Sequence, residues 1–358
     1  MEFGLSEEQI LLQDSLNRFL DAQVSLDRVR QFAETPAADE IWQGLAELGI
    51  TGILTPESAG GVGMSCFEAA LVAEALGSHT APVPFLGSAV MAPLAITLSG
   101  ASEDELLSQL AAGTLTAGVA LAEVIAARAD AGVRGDGKKL NGKALHVMDF
   151  AADVYLVADS ERRLYLVPAD AHGLSTRALA TIDKTRLTGE LLFTDTPARL
   201  LTSDSEVLDK VIDAGRVMLA ADTLGAAQNM LDQAVEYAKQ REQFNRPIGS
   251  FQAVKHMCAE MVAGLEPCRA MVWYAAHALD NVPEEARLTA CHAKAHVSEV
   301  GKFVAKTATE VHGGMGFTDL LGLHYWFKRV GYNRQMLGAP ELVREEAARV
   351  QGFDNEAS

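Results

Sequence analysis

Apolar residues recur at helical spacing towards both ends of this chain and gather in short runs between glycines through its middle. Near the start, "SEEQILLQDSLNRFLDAQV" places Ile10, Leu11, Leu16 and Phe19 near one face, and Ser6 followed by acidic residues supplies a helix start. "TPESAGGVGMS" breaks the pattern with Pro56, Gly60, Gly61 and Gly63 and reads as a loop. "CFEAALVAEALG" resumes as a helix expected to stop near Gly77; "HTAPVPFLG" is stiff and turn-rich, with another helix after it. From 116 to 204 the runs "AGVALAEV", "DVYLVAD", "RLYLVPA" and "GELLFTD" read as strands, and "RGDGKKLNG" as a hairpin connection. They predict a small antiparallel sheet or barrel. No glycine fingerprint stands between a strand and a helix near the start of this region, which argues against a doubly wound nucleotide fold.

From 205 the helical period returns, with Leu208, Ile212, Leu219 and Ala226 at near-helical spacing in a long first helix. A second helix is expected over 251–279 after Pro247, and a third over 284–311, ended by "GGMG". A last helical stretch covers 320–349, with a possible break at "LGAPE", where Pro340 removes a backbone donor. The predicted class is α+β and mostly helical: an N-terminal helical domain at 1–115, a middle β domain at 116–204, a C-terminal four-helix domain at 205–350 and a flexible tail at 351–358. Helices this long and apolar exceed what one four-helix core buries, so an oligomer is expected.

Composition narrows the function. The 358 residues are 49% apolar and carry a formal charge of −18. An acidic chain without a basic footprint is a poor ligand for nucleic acid or an anionic membrane surface. No uninterrupted apolar stretch reaches the roughly 18 residues that a spanning helix needs. "MEFGLSEEQ" lacks the basic and hydrophobic regions of a signal peptide, and the four cysteines are scattered, so a cytoplasmic chain with reduced thiols is expected. His292 and His296 lie four apart with no third ligand beside them, which gives no zinc site.

Two segments carry candidate chemistry. In "REQFNRPIGSFQ", Arg241 ends a long helix before a turn around Asn245–Pro247. Its guanidinium can grip a diphosphate in bidentate fashion, Phe244 offers an aromatic surface, and Gln252 opens the next helix with an amide. In "EVHGGMGFTD", Gly313, Gly314 and Gly316 expose backbone N–H groups and permit close approach, and Thr318 adds a hydroxyl. A helical hairpin with a core phenylalanine, and a glycine-rich helix stop, are the plainer readings. Neither segment is a P-loop.

In combination these two segments closely resemble the acyl-CoA dehydrogenases, and the resemblance covers nearly the whole chain. It implies the three-domain fold above, tetramers, FAD, and α,β-desaturation of an acyl-CoA. It also implies that Arg241, Phe244, Gln252, Gly313, Gly314 and position 310 contact the FAD of a neighbouring subunit. Position 310 is usually glutamine in that family and here is Glu310. The family's own-chain flavin contacts are depleted. Where a "TEP…GSD" segment is expected the chain reads "LAEVIAARAD", keeping Glu123 but losing the threonine, the proline and the glycine-serine pair. "HVMD" stands where an aromatic–Ile–Ser/Thr run is expected, with Met148 in place of the hydroxyl.

The base is missing as well. Leu337, before Gly338, occupies the slot of the family's C-terminal glutamate, and Gly215, before Arg216, occupies the alternative one. Glu341 and Asp222 are the remaining acids that could replace it. What the chain would lend to a neighbour's flavin is mostly kept; what it would need for its own is mostly lost. The expectation is a non-catalytic subunit in a heterotetramer with a homologous catalytic subunit. Such a complex would act on acyl-CoA, including bulky steroid side chains, and pass electrons to an electron-transfer flavoprotein. The rivals are a self-sufficient dehydrogenase with a displaced base and a flavin-free scaffold or thioester binder.

Overall fold

A computed structural model describes residues 4–353; the first three residues of the expected N-terminal domain and residues 354–358 of the expected tail lie outside it. The order is helices, sheet, helices. The N-terminal helices are α1 (Glu7–Gln23), α2 (Leu26–Glu34), α3 (Asp39–Glu47), α4 (Cys66–Ser78), α5 (Ala92–Ser99) and α6 (Asp104–Ala111). The middle region holds β1 (Ala117–Ala120), a single-turn α7 (Ala122–Ile125), β2 (Gly132–Gly135), β3 (Lys139–Met148), β4 (Val154–Ala158), β5 (Leu164–Pro168), β6 (Leu174–Leu179), β7 (Thr188–Pro197) and β8 (Arg199–Thr202). The C-terminal bundle comprises α8 (Ser205–Gln240), a tiny hairpin of β9 (Glu242–Gln243) and β10 (Arg246–Pro247), α9 (Gln252–Asn281), α10 (Pro283–His312), α11 (Leu323–Gln335) and α12 (Pro340–Val350).

By packing, the chain divides into two compact units. One contains the residues up to Glu34, Ala70–Ala81 and those from Arg216 on; the other contains Thr35–Ala69 and Pro82–Gly215. In the first, Ser6 caps α1 with a full capping box: its hydroxyl accepts from Gln9 N–H at 3.2 Å, and its own N–H donates to the Gln9 side chain at 2.9 Å. The expected apolar face of α1 is only partly right. Leu16 and Leu20 are buried, whereas Ile10 and Leu11 are exposed.

The helix from Cys66 stops at Ser78, near Gly77 as expected, and Gly77 has a second role. A Cβ there would overlap the Asp222 carbonyl of α8, and a Cβ at Gly225 would overlap the Glu74 carbonyl of α4. Both glycines serve the close approach of two helices. The end of α4 is also tied to α11, since Trp326 Nε1–H donates to Ser78 O at 2.6 Å and Arg329 donates to Ala81 O at 3.0 Å. The helical stretch expected over 320–349 is broken at "LGAPE", giving two helices. Leu337 and Gly338 adopt positive φ (55° and 105°), and Pro340, which needs no N–H there, starts α12.

In the second unit the eight strands form one sheet of order β6-β7-β3-β1-β4-β5-β8, with β2 paired to β3. The "RGDGKKLNG" hairpin is present, its turn fixed by Asp136 accepting from Lys138 and Lys139 N–H at 2.9 and 2.7 Å. The sheet is antiparallel except at one pair: β1 and β4 run parallel, Ala117 opposite Val154. Val133, Leu140, Tyr155, Tyr165, Leu191 and Phe193 fill its buried side.

Candidate functional site

The arginine segment begins where α8 ends. Arg241 N–H donates to Tyr237 O at 2.8 Å and its carbonyl accepts from Ile248 N–H at 2.7 Å, which folds the intervening residues back as the hairpin. The turn is centred on Phe244 and Asn245, earlier than the expected Asn245–Pro247. Both have left-handed φ (55° and 60°), as a two-residue hairpin turn of this hand requires. Asparagine tolerates that conformation; phenylalanine does so at a cost of about 1 kcal/mol or more.

The Phe244 ring is 87% exposed and meets the edge of Phe251 at 6.1 Å between centroids. The other face of the arrangement is braced by Arg246, whose guanidinium sits 4.0 Å from the Phe251 ring centre. Arg241 is exposed beside it, and the Gln252 amide on the first turn of α9 pairs with His256 at 3.0 Å. Phe251, Arg246 and His256 were not singled out in the sequence. An aromatic five residues before a histidine carries no signal until the hairpin folds.

The glycine segment begins where α10 ends. Gly313 adopts φ +57° and ψ −138°, open only to glycine, and a Cβ on Gly313 or Gly314 would meet nothing within 4 Å. Three details differ from expectation. Gly313 N–H is spent on Glu310 O, closing the helix. Gly316 is buried because Thr309 and His312 pack against it, and the Thr318 hydroxyl donates to Met315 O at 2.8 Å. The turn therefore offers a surface without side chains rather than a row of donors. Glu310 is exposed and lies 3.7 Å from Lys306 one turn earlier, so its charge has a local counterion.

The two segments meet. Tyr237, one turn before Arg241, stacks on His312, the residue before Gly313, at 4.7 Å between ring centres. His312 is buried, its Nδ1 bonded to Ala308 O at 2.7 Å, and burial holds its imidazole below the ordinary range. Arg241, Glu310, Gly313 and Gly314 thus belong to one end of the α8–α10 pair, with Phe244 and Gln252 carried there by the hairpin.

The acids considered as bases lie elsewhere. Asp222 is 3% exposed and accepts from Arg329 Nε and Nη2 at 2.9 and 2.6 Å and from Asn333 Nδ2 at 2.6 Å. A carboxylate whose oxygens are taken up by one guanidinium and one amide is fixed in place with its lone pairs occupied, which counts against a base. Glu341 opens α12, exposed, with Arg334 Nη2 at 2.8 Å. Hydrogen bonding to its own backbone N–H, and then Arg334, holds its carboxyl below the usual range.

Leu337 is buried, and its carbonyl accepts from Arg216 Nε at 3.0 Å. The carboxylate that Arg216 does hold is Glu346, at 2.7 Å, which also pairs with Arg287 at 3.1 Å. Glu346 was missed in the sequence, where it reads as one more surface acid of α12. On the sheet, Glu123 accepts from Leu145 N–H at 2.8 Å, its carboxyl raised by burial, and Met148 is buried in β3 against Val119. Neither is a free donor for a flavin ring. Among the described residues no cluster of three or more His, Cys, Asp or Glu could hold a metal, and no helix is long and apolar enough to cross a membrane.

Comparison with known proteins agrees with this architecture. Residues 6–114 match the acyl-CoA dehydrogenase N-terminal domain and 206–351 the acyl-CoA dehydrogenase C-terminal domain. The chain is 30% identical to acyl-CoA dehydrogenase IpdE2 of Mycobacterium tuberculosis, over 94% of its own length and 95% of that protein's. Among solved structures it resembles the ChsE4-ChsE5 complex from Mycobacterium tuberculosis (TM-score 0.90, 27% identity, 98% of this chain and 99% of that one). It also resembles the Tcur3481-Tcur3483 steroid ACAD (TM-score 0.89, 29% identity, 97% and 98% covered). Matched end to end in sequence and in fold, the chain belongs to the acyl-CoA dehydrogenase family of oxidoreductases.

Proposed function

We propose that this chain is the non-catalytic subunit of a heterotetrameric FAD-dependent acyl-CoA dehydrogenase that desaturates an acyl-CoA thioester between its α and β carbons. Its domain limits lie near 115, 204 and 350. The homologous partner supplies the carboxylate that takes the α-proton and the pocket for the isoalloxazine. FAD, when bound, supplies the acceptor for the hydride that leaves the β-carbon, and an electron-transfer flavoprotein takes the electrons onward.

This chain's residues bind and orient. The Arg241 guanidinium matches diphosphate oxygens in geometry and charge. The Phe244 ring covers an aromatic base, Gln252 meets a polar edge, and the bare surface of Gly313 and Gly314 admits a nucleotide at close range. Glu310, neutralised by Lys306, lies at the rim. The donor set fits an anionic dinucleotide; the Glu123 and Met148 region does not fit a flavin ring of this chain's own. A bulky steroid-type acyl group and a cytoplasmic setting complete the reading, the former supported by the steroid dehydrogenase it resembles.

The observation that carries the proposal is Phe244. It is held in a strained conformation with its ring 87% exposed, so most of its aromatic surface lies outside the contact with Phe251. The test is to purify the chain alone and co-expressed with a homologous subunit that keeps the glutamate. Native mass, flavin content and acyl-CoA-dependent dye reduction are then measured. The expected results are no turnover alone and, in the complex, half as many flavins as chains. One flavin per chain in the isolated protein, with turnover lost in Glu341→Gln, would establish a self-sufficient enzyme instead; a native complex without flavin would establish a scaffold.

A further inference from the structure

We infer that His312 is a positioning residue that, with Tyr237, locks the arginine hairpin and the glycine turn into a single grip on the nucleotide. The inference rests on the function proposed above. Its basis is how the two segments are joined. Arg241 follows Tyr237 by one helical turn and is bonded to it through the backbone at 2.8 Å. Gly313 follows His312 directly, with the strained backbone that ends α10. The two segments are joined by the Tyr237–His312 stack, 4.7 Å between ring centres and tilted by 33°.

His312 is fixed from both sides. Nδ1–H donates to Ala308 O on its own helix at 2.7 Å, and the ring also faces the Gln233 backbone carbonyl of α8. Burial disfavours the charged imidazole, and the Ala308 carbonyl, which can only accept, places a proton on Nδ1. The side chain therefore bridges α8 and α10 at the level from which both ligand-facing segments depart. A nucleotide gripped by Arg241 on one side and by the glycine turn on the other requires both at a fixed separation. An error of about 1 Å in such an arrangement is enough to lose a bidentate contact. His312 and Tyr237 contact each other and the helices, leaving the ligand to the residues they hold.

The test is a coupling measurement on the co-expressed, flavin-bearing complex. The FAD dissociation constant is measured for the wild type, His312→Phe, Arg241→Ala and the double variant, with the thermal midpoint of the flavin-free complex as control. His312→Phe keeps a ring but loses the bridge, and a loss of roughly tenfold is expected, the worth of one misplaced charge-assisted hydrogen bond. The double variant should bind no more weakly than Arg241→Ala alone, because the grip has already been lost.

Tyr237 gives the same question from α8, should His312→Phe fail to assemble. Tyr237→Leu is expected to weaken FAD, and Tyr237→Phe, which restores the ring, to recover it. Losses that add in the double variant, or a Tyr237→Leu variant that binds FAD as the wild type does, would overturn the inference. If Arg241→Ala itself leaves FAD binding unchanged, the proposed function fails and this inference falls with it. If Arg241→Ala weakens binding and the two rings do not matter, only the inference fails.

Discussion

Replacing Asp222 separates a structural acid from a catalytic one. Its carboxylate accepts both forks of the Arg329 guanidinium and the Asn333 amide, and both charged groups are nearly inaccessible, Asp222 at 3% and Arg329 at 1%. In Asp222→Ala the guanidinium stays buried, and of the contacts described it keeps the carbonyl of Ala81. Breaking a buried pair from one side costs about 3–5 kcal/mol. That is a large share of the ~5–15 kcal/mol that holds a typical domain together. At roughly 2–4 °C per kcal/mol, the unfolding midpoint should fall by about 10 °C. Asp222→Asn keeps one acceptor and loses the charge, so its loss should be smaller. Asp222→Leu combined with Arg329→Met removes both charges and should recover most of the stability, since a well-packed apolar pair avoids the desolvation cost. Circular dichroism on heating and in urea gives the stabilities; dye reduction by the co-expressed complex gives the activity. The reasoning is refuted if Asp222→Asn is as stable as the wild type and yet abolishes turnover, because that is the behaviour of a proton acceptor.

Other perturbations address the site and the core. Gly314→Ala adds a methyl group that meets nothing in this chain, so the thermal midpoint should barely move while the flavin content of the complex falls; equal flavin content would count against a ligand there. Phe244→Asn relieves the left-handed strain and should stabilise the isolated chain by roughly 0.5–1 kcal/mol while weakening FAD in the complex, read by denaturation and by flavin titration. Lys294 is fully buried, donating to Asn333 O at 2.8 Å and Arg334 O at 3.1 Å, and burial, then Arg216 and Arg334, push its ammonium down to about 7. The unfolded chain then binds the extra proton between about pH 7 and the ordinary lysine value. Relative to Lys294→Met, wild-type stability should therefore rise with pH through that window, by up to ~1.4 kcal/mol per unit, and parallel curves in urea at pH 6.5 and 9 would refute it.

Local signals explain what was readable in advance. The interior of α8 was legible because Leu208, Ile212, Leu219 and Ala226 report a buried stripe directly, and all four are buried. The end of α10 was legible because only glycine follows a helix with the backbone that Gly313 adopts. Failures arose where distant contacts decide. Gly77 marks the end of α4, but nothing local says that its missing side chain also admits the backbone of α8. The parallel pairing of β1 with β4 leaves no mark on either strand, since all of both are buried. Ile10 and Leu11 fit the period of α1 and remain exposed, because period alone does not say how far along a helix the packing extends. In the site, Arg241, Phe244 and the glycines were legible as residue types. Tyr237, His312 and Glu346 were not, because their roles come from the alignment of separate helices.

The surroundings of Arg216 show how the chain around Leu337 is held. A guanidinium with 1% exposure needs a negative partner within reach, and neither Gly215 beside it nor Leu337 facing it supplies one. Glu346 does so from α12, and Arg287 shares that carboxylate from α10. Arg216 then spends Nε on the Leu337 carbonyl, while Lys294 takes the last carbonyls of α11. The connection between α11 and α12 is thereby held at its backbone by two buried basic side chains, with Leu337 packed in a left-handed conformation. An acid introduced at position 337 would have to share Arg216 with a carboxylate already in place. Like charges sharing one cation raise each other's proton affinity and compete for its hydrogen bonds. The loop and the charges around it are mutually consistent with leucine at 337, which supports the proposal that the base comes from a neighbouring chain.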